Sequence, residues 1–389
     1  MMAGAALPPL TADEQAHAAR VHSALVRRIE DAGGWLAFID FMRFALYEPG
    51  LGYYSAGARK FGAEGDFITA PELSPLFAMC VARQVAEVFE RTGGREIVEF
   101  GAGTGALACD VMRGLIEQGL EPQSYAIVEV SADLRDRQRE RVRHSLGAHA
   151  GRVEWLDRLP ATPIRGVMLA NEVLDAFPVE RFRLASGRIE RLGVALAGED
   201  LVIAARPASP ELESAVGALH VDVDEPYESE ICPWLAAWIA SAAESLAQGV
   251  LLIMDYGLPR AQYYHPDRRH GSLLCHFRQR AHDDPLTRVG LQDITAWVDF
   301  TAVAEAAEAA RLDVLGFATQ AHFLLAAGLE SEIDTLLKRT AGESRTHLEA
   351  ARRLLLPGEM GEAFKVMALG RGVAEPLLGF GLRDLRHTL

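Results

Sequence analysis

The stretch Ile97-Val98-Glu99-Phe100-Gly101-Ala102-Gly103-Thr104-Gly105 constrains this chain more than any other. A short apolar run ends at an acid, and a turn with glycine at every second position follows. Ala106-Leu107-Ala108-Cys109-Asp110-Val111-Met112 then reads as a helix. Strand, tight turn and helix in that order let backbone N–H groups approach a nucleotide-like ligand. A side chain at the glycine positions would hold the ligand away, and such a turn can require positive φ. From Ile97 onward the chain alternates strands and helices, the signature of a parallel sheet covered on both faces. Strands are expected near 96–101, 125–130, 152–156, 166–171 and 249–255.

Two ligands compete for the loop. Gly101, Gly103 and Ala106 fit the G-x-G-x-x-G/A pattern of dinucleotide sites. Gly105 adds a third alternate glycine and Glu99 stands two residues before the first, the E-x-G-x-G-x-G form typical of S-adenosylmethionine (SAM) sites. There the acid can reach a cationic methionine end and no pyrophosphate has to be housed. Glu129 closes the second expected strand, where a carboxylate can accept both ribose hydroxyls of either ligand. A structural turn without a ligand is the third reading.

A chain of 389 residues suits one domain with large insertions, or two domains. Its net charge of −15 argues against a nucleic-acid partner, which needs a basic footprint. Cys80, Cys109, Cys232 and Cys275 stand far apart without a C-x-x-C, arguing against zinc and disulfide frameworks. No secretory signal opens the sequence and no apolar run approaches bilayer length, so a soluble cytoplasmic protein is expected.

Residues 11–45 carry helical apolar spacing, broken at Gly33-Gly34, with Trp35, Phe38, Ile39, Phe41 and Met42 as a core stripe. A Gly-, Pro- and Tyr-rich turn follows at Tyr47–Tyr54. Phe61–Ser74 reads as a loop, with Thr69 as cap of a helix from Pro71 to Glu90. The Arg-rich helix 131–146 reads as a solvated face. The fourth strand, Val167–Ala170, runs into Asn171-Glu172-Val173-Leu174-Asp175-Ala176-Phe177-Pro178-Val179. If that segment turns helically, Glu172 and Asp175 are i, i+3 neighbours able to converge on one group. Two carboxylates suit a guanidinium, which stays charged and presents a fork of donors. The plainer alternative has Asn171 capping and both acids solvated. Residues 180–245 interrupt the alternation with antiparallel strands at Arg181–Leu184, Arg188–Leu192 and Leu201–Ala204, then a helix from Trp234 to Leu246. Residues 257–300 form a long polar stretch whose His282 can serve as a base or an orienting hydrogen-bonder. A helical segment over 301–354 and a strand around Ala363–Leu369 close the chain.

Taken together, several segments resemble the MidA-like SAM-dependent methyltransferases, a family whose mitochondrial member is a complex I assembly factor and protein-arginine methyltransferase. The similar pieces are Gly65-Asp66-Phe67-Ile68-Thr69-Ala70-Pro71-Glu72, Val98–Gly105, Ala170–Val179, His282-Asp283, Val298-Asp299-Phe300 and Phe364-Lys365-Val366-Met367. The resemblance implies an α/β fold: a Rossmann-like class I methyltransferase sheet with a helical N-terminal lid and a β-rich insertion after strand four. The expected parts are an extension and lid over 1–90, a core over 91–180 and 246–375, and a cap over 181–245. SAM is the expected donor, held by Asp66, Glu99, Gly101, Gly103, Gly105 and Glu129. Asn171, Glu172 and Asp175 are the expected catalytic group, and His282, Asp283 and Asp299 the candidate substrate contacts. The acceptor implied is an arginine of a partner protein, with a respiratory-complex subunit as one such partner. The competing expectation is a SAM-binding assembly chaperone with little catalysis, or a methyltransferase of another acceptor.

Overall fold

The computed structural model describes residues 7–55, 69–224, 226–339 and 344–389. The chain forms two compact units, each assembled from three segments. One comprises Thr69–Leu174, Leu235–Pro259 and Val298–Leu389, and the other Met1–Ile68, Asp175–Trp234 and Arg260–Trp297.

The first unit is built on a mixed sheet. Its seven long strands, numbered along the chain, are β1 (Glu96–Phe100), β2 (Ser124–Val128), β3 (Val153–Leu156), β4 (Ile164–Asn171), β5 (Leu246–Leu258), β6 (Asp313–Thr319) and β7 (Phe364–Arg371). They lie in the order β3-β2-β1-β4-β5-β7-β6. The first five are parallel, and β7 is antiparallel to both β5 and β6. Val167–Ala170 of β4 and Val250–Met254 of β5 are all buried. Such continuous apolar runs belong to strands covered on both faces, where no side chain has a wet side to occupy. β1 stands where the strand order reverses, so the crevice beyond its carboxyl end is the switch point at which open α/β sheets take ligands.

The α/β sheet thus matches the expected fold, and the β-rich insertion lies between β4 and β5 as read. Several local expectations change. The helix expected from Pro71 to Glu90 is broken into Ala70–Leu73 and Pro75–Thr92, with Ser74 extended between them. Pro75 disfavours a helical Ser74, and the Ser74 hydroxyl accepts the Leu76 N–H as the cap, whereas Thr69 makes no side-chain cap bond. The region 301–354 is not helical throughout: β6 lies between helices Phe300–Ala309 and Gln320–Ala326. Its pairing with β7, distant in sequence, overrides local preference. Residues 69–90 belong to this unit, and Leu76, Phe77, Val81, Val85 and Phe89 share the hydrophobic cluster of the sheet.

The second unit centres on antiparallel strands Glu180–Ala185, Arg188–Ala197, Asp200–Pro207 and Tyr227–Ile231. Trp35–Ala37, expected within a helical stripe, is a strand paired to Gly193–Ala195. Gly33 and Gly34 end the preceding helix Ala12–Asp31 at positive φ, and Trp35 anchors the strand by donating its indole N–H to the Ala204 carbonyl, 2.9 Å. The stretch 257–300 contains a small sheet of Leu274–Phe277, Arg280–His282 and Asp293–Thr295. Among the described residues, no helix is long and apolar enough to cross a membrane.

Candidate cofactor site and active centre

The site on the first unit begins at the carboxyl end of β1. The Gly101 N–H donates to the Val128 carbonyl at 3.0 Å, tying the loop to β2. Gly101, Gly103 and Gly105 have φ of 58°, 53° and 81°, a region that L side chains enter only at a cost. Gly105 then becomes the residue preceding helix Ala106–Glu117, whose first N–H groups open towards the loop. Backbone conformation, more than space, calls for glycine here. A Cβ on Gly101 or Gly105 would meet only ordinary contacts, with Val173 at 3.6 Å and Gln138 at 3.5 Å.

Two buried carboxylates flank the loop. Glu99, 2% exposed, accepts the Tyr125 hydroxyl at 2.7 Å. Burial pushes its pKa up to about 7, while the tyrosine hydrogen bond opposes the rise. Glu129 accepts the Ser131 N–H at 2.9 Å and the Gln138 amide at 3.1 Å. Its pKa is also raised by burial, held back by those two donors. Gln138, fully buried, links further groups. Its amide donates to the Gly103 carbonyl at 2.9 Å, and its oxygen accepts the Trp155 indole N–H at 2.8 Å. Beside Glu129, the apolar side chain of Val130 is 74% exposed.

At the end of β4 the expected helical turn does not form. Glu172 takes a left-handed backbone, φ 53°, and its N–H donates to the Met254 carbonyl at 2.9 Å. Asp255, wholly buried, then accepts the Val173 and Leu174 N–H groups at 3.2 and 3.0 Å and its neighbour Tyr256 N–H at 2.9 Å. This carboxylate takes the two amides that an Asn171 cap would have accepted, and the chain leaves β4 in a kinked turn. Glu172 and Asp175 therefore do not stand one helical turn apart, which corrects that expectation. The Asn171 amide donates to Glu172 Oε1 at 3.1 Å rather than capping a helix.

The remaining expected site residues fall elsewhere. Asp175 belongs to the second unit and is buried, with its carbonyl accepting the Ala296 N–H at 3.0 Å. His282 and Asp283 also belong to the second unit. The His282 imidazole accepts the Asp284 N–H at 3.3 Å, and burial lowers its pKa against the opposing pull of Asp284. Asp283 is exposed. Asp299 accepts the Thr301 and Ala302 N–H groups as the cap of helix Phe300–Ala309, a structural use of the carboxylate. Asp66 lies outside the described residues. Tyr125, Gln138 and Asp255 were not singled out from sequence as site residues. Gln138 had one signal, a neutral amide inside a charged helix, and Asp255 another, an acid closing an apolar strand.

These features fit a SAM-type ligand. Two carboxylates with raised pKa await a cation or hydroxyl donors, and three glycines hold the backbone open between them. Among the described residues, no cluster of His, Cys, Asp and Glu forms a metal site.

Comparison with known proteins agrees. A family model for S-adenosyl-L-methionine-dependent methyltransferases matches residues 80–318. A crystal structure of a Burkholderia thailandensis protein bound to S-adenosyl-homocysteine (SAH) is 42% identical, with a TM-score of 0.95 over 99% of this chain and 100% of that one. The mitochondrial protein arginine methyltransferase NDUFAF7 homolog of Drosophila melanogaster is 27% identical across 92% of this chain and 89% of its own length. The mitochondrial protein arginine methyltransferase NDUFAF7 of Danio rerio is 28% identical across 87% of this chain and 84% of its own. The cofactor is therefore SAM rather than a dinucleotide, and the chain belongs to the MidA-like SAM-dependent methyltransferases.

Proposed function

We infer that the protein methylates an arginine side chain of a partner protein, with Glu172 as the carboxylate that receives the guanidinium. The observation that carries this reading is the locked turn after β4. It holds Glu172 at a left-handed φ, next to the switch point, with Asn171 on its carboxylate. The names of the fly and zebrafish relatives support the same acceptor.

In this reading Glu99 faces the cationic methionine end, the glycine loop accommodates the ligand backbone, Glu129 accepts the ribose hydroxyls and Val130 covers an apolar face. When bound, SAM supplies an already activated sulfonium methyl. What the chain adds is placement: Glu172 pairs with the guanidinium fork and directs one nitrogen at the methyl carbon. Arginine does not deprotonate unaided at neutral pH. As the N–C bond forms and the C–S bond breaks, the nitrogen becomes acidic, and Glu172 is the group placed to take its proton.

Incubation with methyl-labelled SAM and a lysate of the native host tests this, with acid hydrolysis of labelled proteins. Methylarginine is expected. Glu172→Gln should bind SAH as the unaltered protein does yet transfer at least a hundredfold more slowly. Transfer at full rate by Glu172→Gln removes its role, and label on another residue type removes the arginine assignment. SAH binding without any transfer favours the chaperone reading.

A further inference from the structure

The Arg-rich helix Ala132–Leu146 read from sequence as a solvated face, and part of it is. Arg137 pairs with Asp133 at 2.9 Å and Arg139 with Asp136 at 3.0 Å, both in solvent. Two other residues of the helix turn to the glycine loop. Gln138 donates to the Gly103 carbonyl at 2.9 Å. Three residues on, and so on the same face, Arg141 donates to the Thr104 hydroxyl oxygen and to Glu72 at 2.9 Å. The Thr104 hydroxyl in turn donates to the Glu72 carboxylate. Glu72 ends the Thr69–Glu72 part of the motif that the sequence singled out and that no cofactor role absorbed.

We propose that Glu72 and Arg141, acting through the Thr104 hydroxyl, are positioning residues that preset the glycine loop for SAM, with Gln138 holding the adjoining Gly103 carbonyl. Thr104 stands between two glycines at positive φ, the most conformationally free residues the chain can use. Left to itself this loop would be ordered only by the ligand, and the ordering cost would be subtracted from affinity. Three separate elements meet at one hydroxyl in the middle of the loop: the turn Ala70–Leu73, the loop itself and the helix Ala132–Leu146. A partly buried ion pair adds little net stability, because desolvation offsets its attraction. Its geometric effect is the larger one, since it leaves Thr104 a single favourable rotamer and the loop a single path.

The proposal rests on the glycine loop being the SAM site, and the experiment separates the two. SAH affinity is measured by titration calorimetry for Thr104→Val, Thr104→Ser, Glu72→Gln and the Thr104→Val/Glu72→Gln pair, with thermal unfolding run alongside. Valine keeps the shape of threonine without the hydroxyl. Thr104→Val and Glu72→Gln should each weaken SAH about tenfold, the double variant should be no weaker than either single one, and Thr104→Ser should bind within about twofold of the unaltered protein. Unchanged affinity in both single variants overturns the proposal, as does a double variant whose loss is the product of the two. If Glu72→Gln does not fold, the contrast between Thr104→Val and Thr104→Ser decides alone. Gly103→Val examines the loop itself. Full SAH binding by that variant removes the site reading, whereas its loss beside unaffected Thr104 and Glu72 variants removes only the positioning role.

Discussion

Replacing Tyr125 by Phe isolates the electrostatics of Glu99. Tyr125 is fully buried and its ring volume is kept, so no cavity opens; what goes is the hydroxyl that donates to Glu99 at 2.7 Å. A hydrogen bond to a charged group is worth ~1.5–3 kcal/mol, a factor of roughly 10 to 150 in the carboxyl's ionisation equilibrium. With a pKa of about 7, Glu99 is roughly three-quarters ionised at pH 7.5. Without the hydroxyl that fraction falls to between about 20% and about 2%. A ligand whose ammonium requires the ionised acid loses affinity in proportion, roughly 4- to 40-fold.

The sign follows from the direction of the shift. SAH affinity should rise as pH increases through 7 and level off above it, and Tyr125→Phe should displace the whole curve to higher pH. Stability of the unliganded protein runs the other way. A carboxyl whose folded pKa is raised contributes stability that is complete below its ordinary value of 4.5 and lost as pH rises through about 7. Ionising the buried acid thus costs the unliganded protein about 3 kcal/mol, which a cation bound beside it would offset. Calorimetric titration with SAH from pH 6 to 9, in two buffers of different ionisation enthalpy, measures both affinity and proton release. A dissociation constant that stays flat across that range, or superimposable curves for the two proteins, refutes the argument.

Two further outcomes concern stability. Asp255→Asn keeps one acceptor oxygen but turns an amide NH2 towards the backbone N–H groups of either Tyr256 or Val173 and Leu174. At least one buried donor is then unpaired, and urea unfolding should show a loss of about 1–3 kcal/mol, with transfer falling further than SAH affinity because Glu172 loses its fixed turn. An unchanged unfolding midpoint would remove Asp255 from its role in the turn. Ser74→Ala removes the cap of helix Pro75–Thr92 and should cost about 1 kcal/mol, read as a lower melting temperature with SAH affinity preserved.

Local pattern carried much of the fold. The central runs of β1, β2, β4 and β5 are buried on both faces, and a strand of that kind is legible because its central positions are apolar, with the acids Glu99 and Asp255 towards the carboxyl ends. The glycine loop was legible for a related reason: alternate glycines between a strand and a helix have few other uses. The insertion announced itself through the Ser186-Gly187 turn and the Gly198–Asp200 turn between alternating strands. What stayed hidden depends on partners far away in sequence. β6 exists because β7 offers it hydrogen bonds, and Trp35–Ala37 is extended because residues 193–195 pair with it.

The same division runs through the site. Sequence by itself determined the chemical inventory: which residues are acids, where glycine frees the backbone, and that Glu99 and Glu129 each close a strand beside the switch point. These follow from chain-local spacing, which reports the end of a strand whatever surrounds it. Only the tertiary structure decided how the inventory is arranged. Asp255 takes the amides that an Asn171 cap would have accepted, and Glu172 emerges from a kink instead of sharing a helical face with Asp175. Gln138 and Arg141 leave the solvated face because their helix packs across the loop, where each finds a partner more than 30 residues away. A hydrogen bond between distant segments costs loop closure before it contributes anything, and whether that cost is met depends on the packing of the whole unit.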